Sequence, residues 1–149
     1  MDGKDIKILI FDLNGEYYAT DILDVERILS YQEPTEMPDV PAFIEGVINH
    51  ENRILPVINI AKKFKLPTAE IKEQAKIIVI KKEEKRFGIV VDNVYEVKDV
   101  DYNSFEEAPP ITTTISKKFV KGLIKLEGKI VILLNMVEIL SEEEESLIF

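Results

Sequence analysis

The sequence predicts a mainly β protein built from two copies of one small β unit. Three observations lead to this fold class. Short apolar runs rich in β-branched residues recur along the chain, turn-forming pairs separate them, and the second half of the chain repeats the first. Each half holds about five short strands, which suits a small barrel because a barrel leaves no exposed sheet edge. The 149 residues fit one domain of two very small subdomains that share a hydrophobic interface.

Turn signals divide the first half of the chain into two hairpins. Asn14-Gly15 is typical of a type I′ turn, because both central residues need positive φ, and it follows the apolar residues 6–13 and precedes a strand beginning at Tyr17. Residues 21–28 fit either a helical turn or a bent strand. The later elements are, in order, an irregular proline-bearing segment 31–42, strands 44–48 and 54–58 around a polar turn 49–53, and a short helical turn 61–66 that Pro67 ends.

The second half follows a polar stretch, 68–75, where the main change in composition falls. Its predicted elements are, in order, a strand 77–80, a charged turn 81–86, strands 87–91 and 94–100, a long loop 102–116, and strands 119–124 and 130–134 around Glu127-Gly128. Ser141 and Glu144 fit a capping box, so a short C-terminal helix is predicted to begin there. We expect approximate subdomains 14–70 and 75–140, with the terminal segments able to cross between them.

The internal repeat consists of two aligned blocks. Residues 43–48 (FIEGVI) align with 119–124 (FVKGLI), and Asn59 falls on Asn135 at the same offset of 76 residues. An earlier block aligns at an offset of 69 residues, with Tyr18, Val25 and Ile28 on Phe87, Val94 and Val97. The larger second offset places a longer loop after Val97 than after Ile28.

Composition and motifs favour protein binding over catalysis. With 19 basic against 28 acidic residues, the net charge of −9 argues against nucleic acid or an anionic membrane surface as the main partner. The chain lacks cysteine, a signal-peptide pattern, phosphate-binding glycine loops and metal-ligand motifs. Its single histidine, His50, lies in a predicted turn and is more typical of a solvated residue than of a base or ligand. We therefore expect a cytoplasmic protein that is not an enzyme and has no cofactor or metal site.

The ordered motifs resemble the CheW-like domain family. The matching segments are 46–49 (GVIN) with 54–60 (ILPVINI), 87–94 (FGIVVDNV), and 119–122 (FVKG) with 133–135 (LLN). The resemblance extends roughly over residues 6–140. It implies two five-stranded, SH3-like β-barrel subdomains and an adaptor that links chemoreceptor (methyl-accepting) hairpin tips to the regulatory domain of the chemotaxis histidine kinase CheA. Such an adaptor would be recruited to membrane-associated receptor arrays.

The resemblance also implies two binding surfaces. In a groove between the subdomains, the receptor would contact Ile22, Val25, Ile28, Val91 and Leu147, with Arg27 and Glu51 beside them. On the second subdomain, the kinase would contact Gly88, Val94, Phe105, Glu106, Ile111 and Gly122. From spacing alone, the apolar residues at 22, 25 and 28 fit a core as well as a groove. A loop aromatic such as Phe105 fits an anchor for a partner as well as a side chain tucked into its own subdomain.

Two charges depart from the usual family pattern. The family usually has Glu at the position of Arg27 and Arg at the position of Glu51, so both charges are reversed together. We predict that the two side chains form the same ion pair with swapped polarity. Rival functions are an adaptor of the same fold in a non-chemotactic pathway and a small-ligand-binding β-barrel protein, which would need an enclosed polar pocket.

Overall fold

The computed structural model describes residues 5–67, 70–71, 73–107 and 117–149, and within these ranges it is mainly β. The elements are β1 (Asp5–Leu13), β2 (Glu16–Asp21), β3 (Val25–Ser30), β4 (Ile44–His50), β5 (Arg53–Asn59), α1 (Ile60–Lys63), β6 (Lys76–Lys82), β7 (Lys85–Val91), β8 (Asn93–Asp101), β9 (Val120–Leu126), β10 (Lys129–Leu134) and α2 (Glu142–Ile148). None of the helices in these ranges is long and apolar enough to cross a membrane.

The turns follow the residue types that the sequence supplies. Asn14 and Gly15 both have positive φ, 53° and 82°, as the predicted type I′ turn requires. Two polar turns are shorter than expected, because the ladders continue to the pairs His50↔Arg53 and Lys82↔Lys85. The C-terminal helix is confirmed, with both hydrogen bonds of its capping box formed.

The strands form two five-stranded sheets. Sheet A has the order β8-β1-β2-β10-β9, and sheet B has the order β3-β6-β7-β5-β4. Most neighbours are antiparallel, but β2 pairs with β10, and β5 with β7, in parallel. The mainly β prediction is therefore confirmed.

The division between the sheets corrects the predicted subdomain boundaries. Strands β6 and β7 were expected in the second subdomain, yet they lie in sheet B with β3–β5, while β1 and β2 lie in sheet A. Sheet B is thus continuous over 25–91, and sheet A is assembled from the chain on either side of it. Sequence similarity reveals a repeat, but it does not reveal which copy a strand pairs with.

The register of the parallel pairs follows the repeat. Ala19 pairs with Leu133 in sheet A, and their repeat equivalents Gly88 and Val57 pair in sheet B. Each half therefore lends its first hairpin to the sheet that holds the rest of the other half. The Asn59 amide donates to the Phe43 carbonyl at 2.7 Å, and the aligned pair Asn135 and Phe119 forms the same bond at 2.7 Å.

In each sheet, the chain beyond one edge strand returns to the opposite edge. Thr35 follows β3 and forms an isolated bridge with Val47 of β4, and Glu106 follows β8 and forms one with Leu123 of β9. Gly46 permits the first crossing, because a Cβ there would lie 2.0 Å from the Thr35 carbonyl oxygen. The edges of each sheet thus meet through a single bridge rather than a continuous ladder.

A central hydrophobic core joins the two sheets, as expected for subdomains too small to be stable alone. Strand β1 is buried on both faces: Leu9 and Phe11 point into the central core, and Ile8 and Ile10 point into a second cluster within sheet A. A third cluster lies within sheet B.

Candidate protein-binding site

The segment between β2 and β3 combines the two readings that its sequence left open. Residues Ile22–Asp24 form one 3₁₀ turn, which begins where the Asp21 carboxylate accepts a hydrogen bond from the Leu23 amide at 3.0 Å. The chain then continues as strand β3. The short polar cap therefore stops the strand and turns the chain from sheet A into sheet B.

The apolar side chains of this segment divide between core and surface. Ile22 and Val25 are half-buried against the central core. Ile28 is 40% exposed, and Leu23 is 87% exposed. Leu23 was missed in the sequence analysis, although its place between two inward-facing positions of a short turn was a signal that it points outward.

The predicted ion pair between Arg27 and Glu51 is formed. Arg27 Nη2 lies 3.4 Å from Glu51 Oε1, with side-chain exposures of 58% and 61%. Glu51 occupies the β4–β5 turn, where it and Asn52 both have positive φ. At this exposure the pair is worth only about 0–1 kcal/mol, so its effect is on local geometry.

A groove of about 720 Å³ opens beside this pair. Its walls come from β3, the β4–β5 and β6–β7 turns, and the end of α2. Exposed apolar side chains at Met37, Ile54 and Phe149 line it. This mixture of apolar and charged side chains in an open groove suits a protein partner.

A second ion pair crosses the groove. Arg86 Nε donates to both carboxylate oxygens of Glu26, at 2.7 and 2.9 Å. This hydrogen bond is the main reason that the pKa of Glu26 is lowered. The groove therefore carries fixed charges of both signs.

Helix α2 is held against sheet B by lysines. Glu145 Oε2 accepts from Lys82 Nζ at 2.7 Å, and its Oε1 accepts from Lys85 Nζ at 3.1 Å. The preceding Glu144 forms an ion pair with Lys63. Leu147 remains 57% exposed. These contacts fix the helix beside the groove and leave Leu147 free to meet a partner.

Two predicted contact residues are buried and cannot touch a partner directly. Val91 is fully buried in the central core. Gly88 is buried in β7, where a Cβ would lie 2.6 Å from Ile77 Cγ2. The assignment of Val91 to the receptor and of Gly88 to the kinase is therefore wrong as direct contact, because both positions are used for packing within sheet B.

The predicted kinase-binding residues come together only in part. Phe105, Glu106 and Gly122 meet where Glu106 and Leu123 exchange backbone hydrogen bonds of 2.7 and 2.8 Å. Gly122 is itself buried beneath Phe105, so its predicted contact with the kinase is wrong. The Phe105 ring is half-buried on the sheet A cluster, so it is partly tucked into its own sheet. Glu106 is exposed beside it.

The two remaining members of this set lie elsewhere. Val94 lies near the start of β8 and packs, half-buried, against the central core. Ile111 lies outside the described residues. The described part of this surface is therefore the exposed Glu106, with Phe105 beside it.

Comparison with known proteins gives these surfaces a family. The family model of the CheW-like domain matches residues 7–144. The Klebsiella aerogenes protein named "Chemotaxis protein CheW" is 33% identical over 95% of this chain and 86% of its own length. The protein of the same name from Thermotoga maritima is 32% identical over 93% of this chain and 90% of its own length.

A solved structure agrees with these matches. The crystal structure of the scaffolding protein TtCheW from Thermoanaerobacter tengcongensis superposes with a TM-score of 0.87 at 34% identity, covering 96% of this chain and 92% of that one. The matches extend across both sheets and the start of α2. This chain belongs to the CheW-like domain family.

Proposed function

We propose that this chain is a non-catalytic adaptor that couples chemoreceptor tips to the chemotaxis histidine kinase CheA. The observation that carries the proposal is that a family chain presents two separate surfaces on two different sheets. One is the groove side of sheet B, and the other is the Glu106 bridge of sheet A. Each sheet, with its edge-to-edge bridge, is on this view a five-stranded SH3-like barrel.

The receptor side is assigned to sheet B and the start of β3. The exposed Ile28 and Leu147, the half-buried Ile22 and Val25, and the Arg27–Glu51 pair would contact a helical hairpin. Apolar anchors surrounded by charges are the usual composition of a protein interface. Leu23 joins this set because of its exposure.

The kinase side is assigned to sheet A. Glu106 would contact the regulatory domain of CheA directly, with Phe105 beside it, while Gly122 allows the loop to cross β9 closely. Val94 would act from the core side, by shaping β8.

The mechanism is bivalent scaffolding in the cytoplasm, at membrane-associated receptor arrays. Binding of the receptor on one sheet and of the kinase on the other raises the effective concentration of each for the other. Because the two sheets share the central core, strain from one partner can reach the other as a coupling free energy.

Binding to purified partners tests the proposal. The partners are a soluble hairpin fragment of a methyl-accepting receptor tip and the CheA regulatory domain, with affinities measured by calorimetry. Ile28→Glu is expected to weaken receptor binding at least tenfold, because a buried unpaired carboxylate costs more than ~1.4 kcal/mol. Its matched control is Val97→Glu, an exposed position that is equivalent in the repeat but lies on sheet A.

The kinase arm uses charge reversal. Glu106→Arg is expected to weaken binding of the regulatory domain and leave receptor binding unchanged, while Glu16→Arg, exposed on another turn of sheet A, changes neither. A wild-type chain that binds neither partner would overturn the proposed function. Binding to the hairpin of a receptor from a motility or gene-regulation pathway instead would identify the same adaptor chemistry in another pathway.

A further inference from the structure

Helix α2 follows sheet A in the chain but is bound to sheet B. It lies eight residues after the end of β10 in sheet A. Its cationic partners are Lys82 and Lys85, which flank the β6–β7 turn of sheet B, and Lys63 at the end of α1, which follows β5 of the same sheet. The helix is thus a strap from one sheet to the other.

Charge holds this strap more than apolar burial does. Glu145 is the one buried residue of α2, with 8% of its side chain exposed. Ile148 is only half-buried against the central core. A seven-residue helix is too short to be stable by itself in water. Its orientation therefore depends on the carboxylate of Glu145 and on the two ammonium groups that enclose it.

The strap forms part of the groove. Ile80, two residues before Lys82, pairs with Val25 of β3, so the anchor lies at the end of the sheet where the predicted receptor surface begins. Ile148 and Phe149 line the groove together with Glu26 and Arg86. Leu147 lies between the anchored Glu145 and these lining residues, and it can present the same face to a partner only while the anchor holds.

We propose that Glu145, with Lys82 and Lys85, is an ionic anchor that positions α2, and with it Leu147, for receptor binding. The inference rests on the proposed receptor-binding function and adds residues that touch no partner themselves. Glu145 is a positioning residue: it acts through the helix. Loss of the anchor lowers the fraction of molecules whose helix is in place, and the apparent receptor affinity falls by that fraction.

The experiment compares Glu145→Gln with Glu143→Gln in the full chain. Both remove one negative charge from α2, but the Glu143 side chain is exposed and takes part in none of the ion pairs found within the described ranges. The readouts are receptor-tip affinity, kinase-domain affinity and amide hydrogen exchange of α2. Glu145→Gln is expected to lower receptor affinity about tenfold and to speed exchange in α2, with kinase affinity unchanged within about twofold. Glu143→Gln is expected to change none of the three.

Charge reversal separates positioning from general stability. The triple variant Lys82→Glu, Lys85→Glu, Glu145→Lys restores opposite charges across the same contact, and it is expected to recover much of the receptor affinity that Glu145→Gln loses. If Glu145→Gln fails to fold, Lys85→Gln removes one of the two donors at a half-exposed position and is expected to shift receptor affinity in the same direction.

Several results would overturn the anchor. Unchanged receptor affinity in Glu145→Gln, with or without faster exchange in α2, would show that the position of the helix does not matter. An equal fall in kinase and receptor affinity would show a general loss of structure. Wild-type chain that does not bind the receptor tip at all would instead count against the proposed function, which separates the two failures.

Discussion

Arg27 and Glu51 lie on opposite edges of sheet B, yet their charged groups are 3.4 Å apart. Arg27 is in the edge strand β3, and Glu51 is in the turn that follows the other edge strand, β4. The backbone bridge between Thr35 and Val47 joins the same two edges. The ion pair is therefore a second, side-chain connection across the opening of the sheet.

A double-mutant cycle measures this connection. Arg27→Glu and Glu51→Arg each place two like charges together, and each is expected to lower the free energy of unfolding by less than about 1 kcal/mol, since the pair is exposed. The double variant restores opposite charges and is expected to regain most of that loss. Urea unfolding at low and high salt checks the result, and a coupling energy that does not shrink in high salt would contradict an exposed ion pair.

Two repeat-equivalent glycines are expected to differ in their tolerance of alanine. At Gly46, a Cβ would lie 2.0 Å from the Thr35 carbonyl oxygen, and φ is 139°. At Gly122, the nearest atoms lie at 3.2 Å. We expect Gly46→Ala to cost about 3 kcal/mol or more and Gly122→Ala about 1 kcal/mol, because only the first combines a backbone clash with forbidden dihedrals. Thermal unfolding of the two variants tests the order, and equal losses would contradict it.

The sequence predicted local structure well because local signals determine it. Asn14-Gly15 has few alternatives to a tight turn, and Ser141 with Glu144 needs only its own backbone to form a capping box. The ion pair was also within reach, because reversed charges at two positions already suggested contact. These features depend on residues close in sequence or on a paired chemical change.

The exchange of hairpins between the halves was beyond the sequence. The parallel pairing of Ala19 with Leu133 joins distant segments, and the repeat would look the same if each half paired with itself. The burial of Val91 and Gly88 follows from that exchange, because β7 is a central strand of sheet B. Residues at family-like positions therefore proved to be packing residues once the strand order was known.

The two halves have diverged most where their equivalent strands open to solvent. Sheet B carries Arg86 and Glu26 as an ion pair, and the positions 69 residues away in the repeat are Tyr17 and Tyr95 in sheet A. These rings lie 5.5 Å apart between centroids. One equivalent site is thus charged and the other aromatic, which suits two sheets with different partners.

Alkaline titration is expected to reveal this aromatic site. A hydrogen bond to Asp12, at 2.8 Å, raises the pKa of Tyr95 to about 12, and burial raises the pKa of Tyr18 to about 12. Asp12→Asn removes the negative charge that opposes ionisation, so the pKa of Tyr95 should fall while that of Tyr18 stays high. Ultraviolet titration in a Tyr18→Phe background isolates the Tyr95 signal, and an unchanged late phase after Asp12→Asn would contradict the assignment.

The ionic anchor of α2 makes a prediction about acid. The hydrogen bond from Lys82 is the main cause of the lowered pKa of Glu145, and the bond from Lys85 adds to it. A carboxyl whose pKa is lower in the folded than in the unfolded chain contributes stability that is fully present above its unfolded pKa. That contribution is lost as the pH falls from the ordinary glutamate value of 4.5 through the lowered folded value. Amide exchange in α2 should therefore accelerate in this acidic range before the sheets unfold.

The matched variants decide whether Glu145 is responsible. In Glu145→Gln, the carboxyl is gone and the acid dependence of exchange in α2 should flatten, with exchange already fast at neutral pH. Glu144 complicates the comparison: burial raises its pKa, but hydrogen bonds from Lys63 and from Ser141 outweigh that effect and lower it overall. A residual acid response in Glu145→Gln should therefore disappear when Glu144→Gln is added. Persistence of the full response in the double variant would place the acid-sensitive contact elsewhere in the chain.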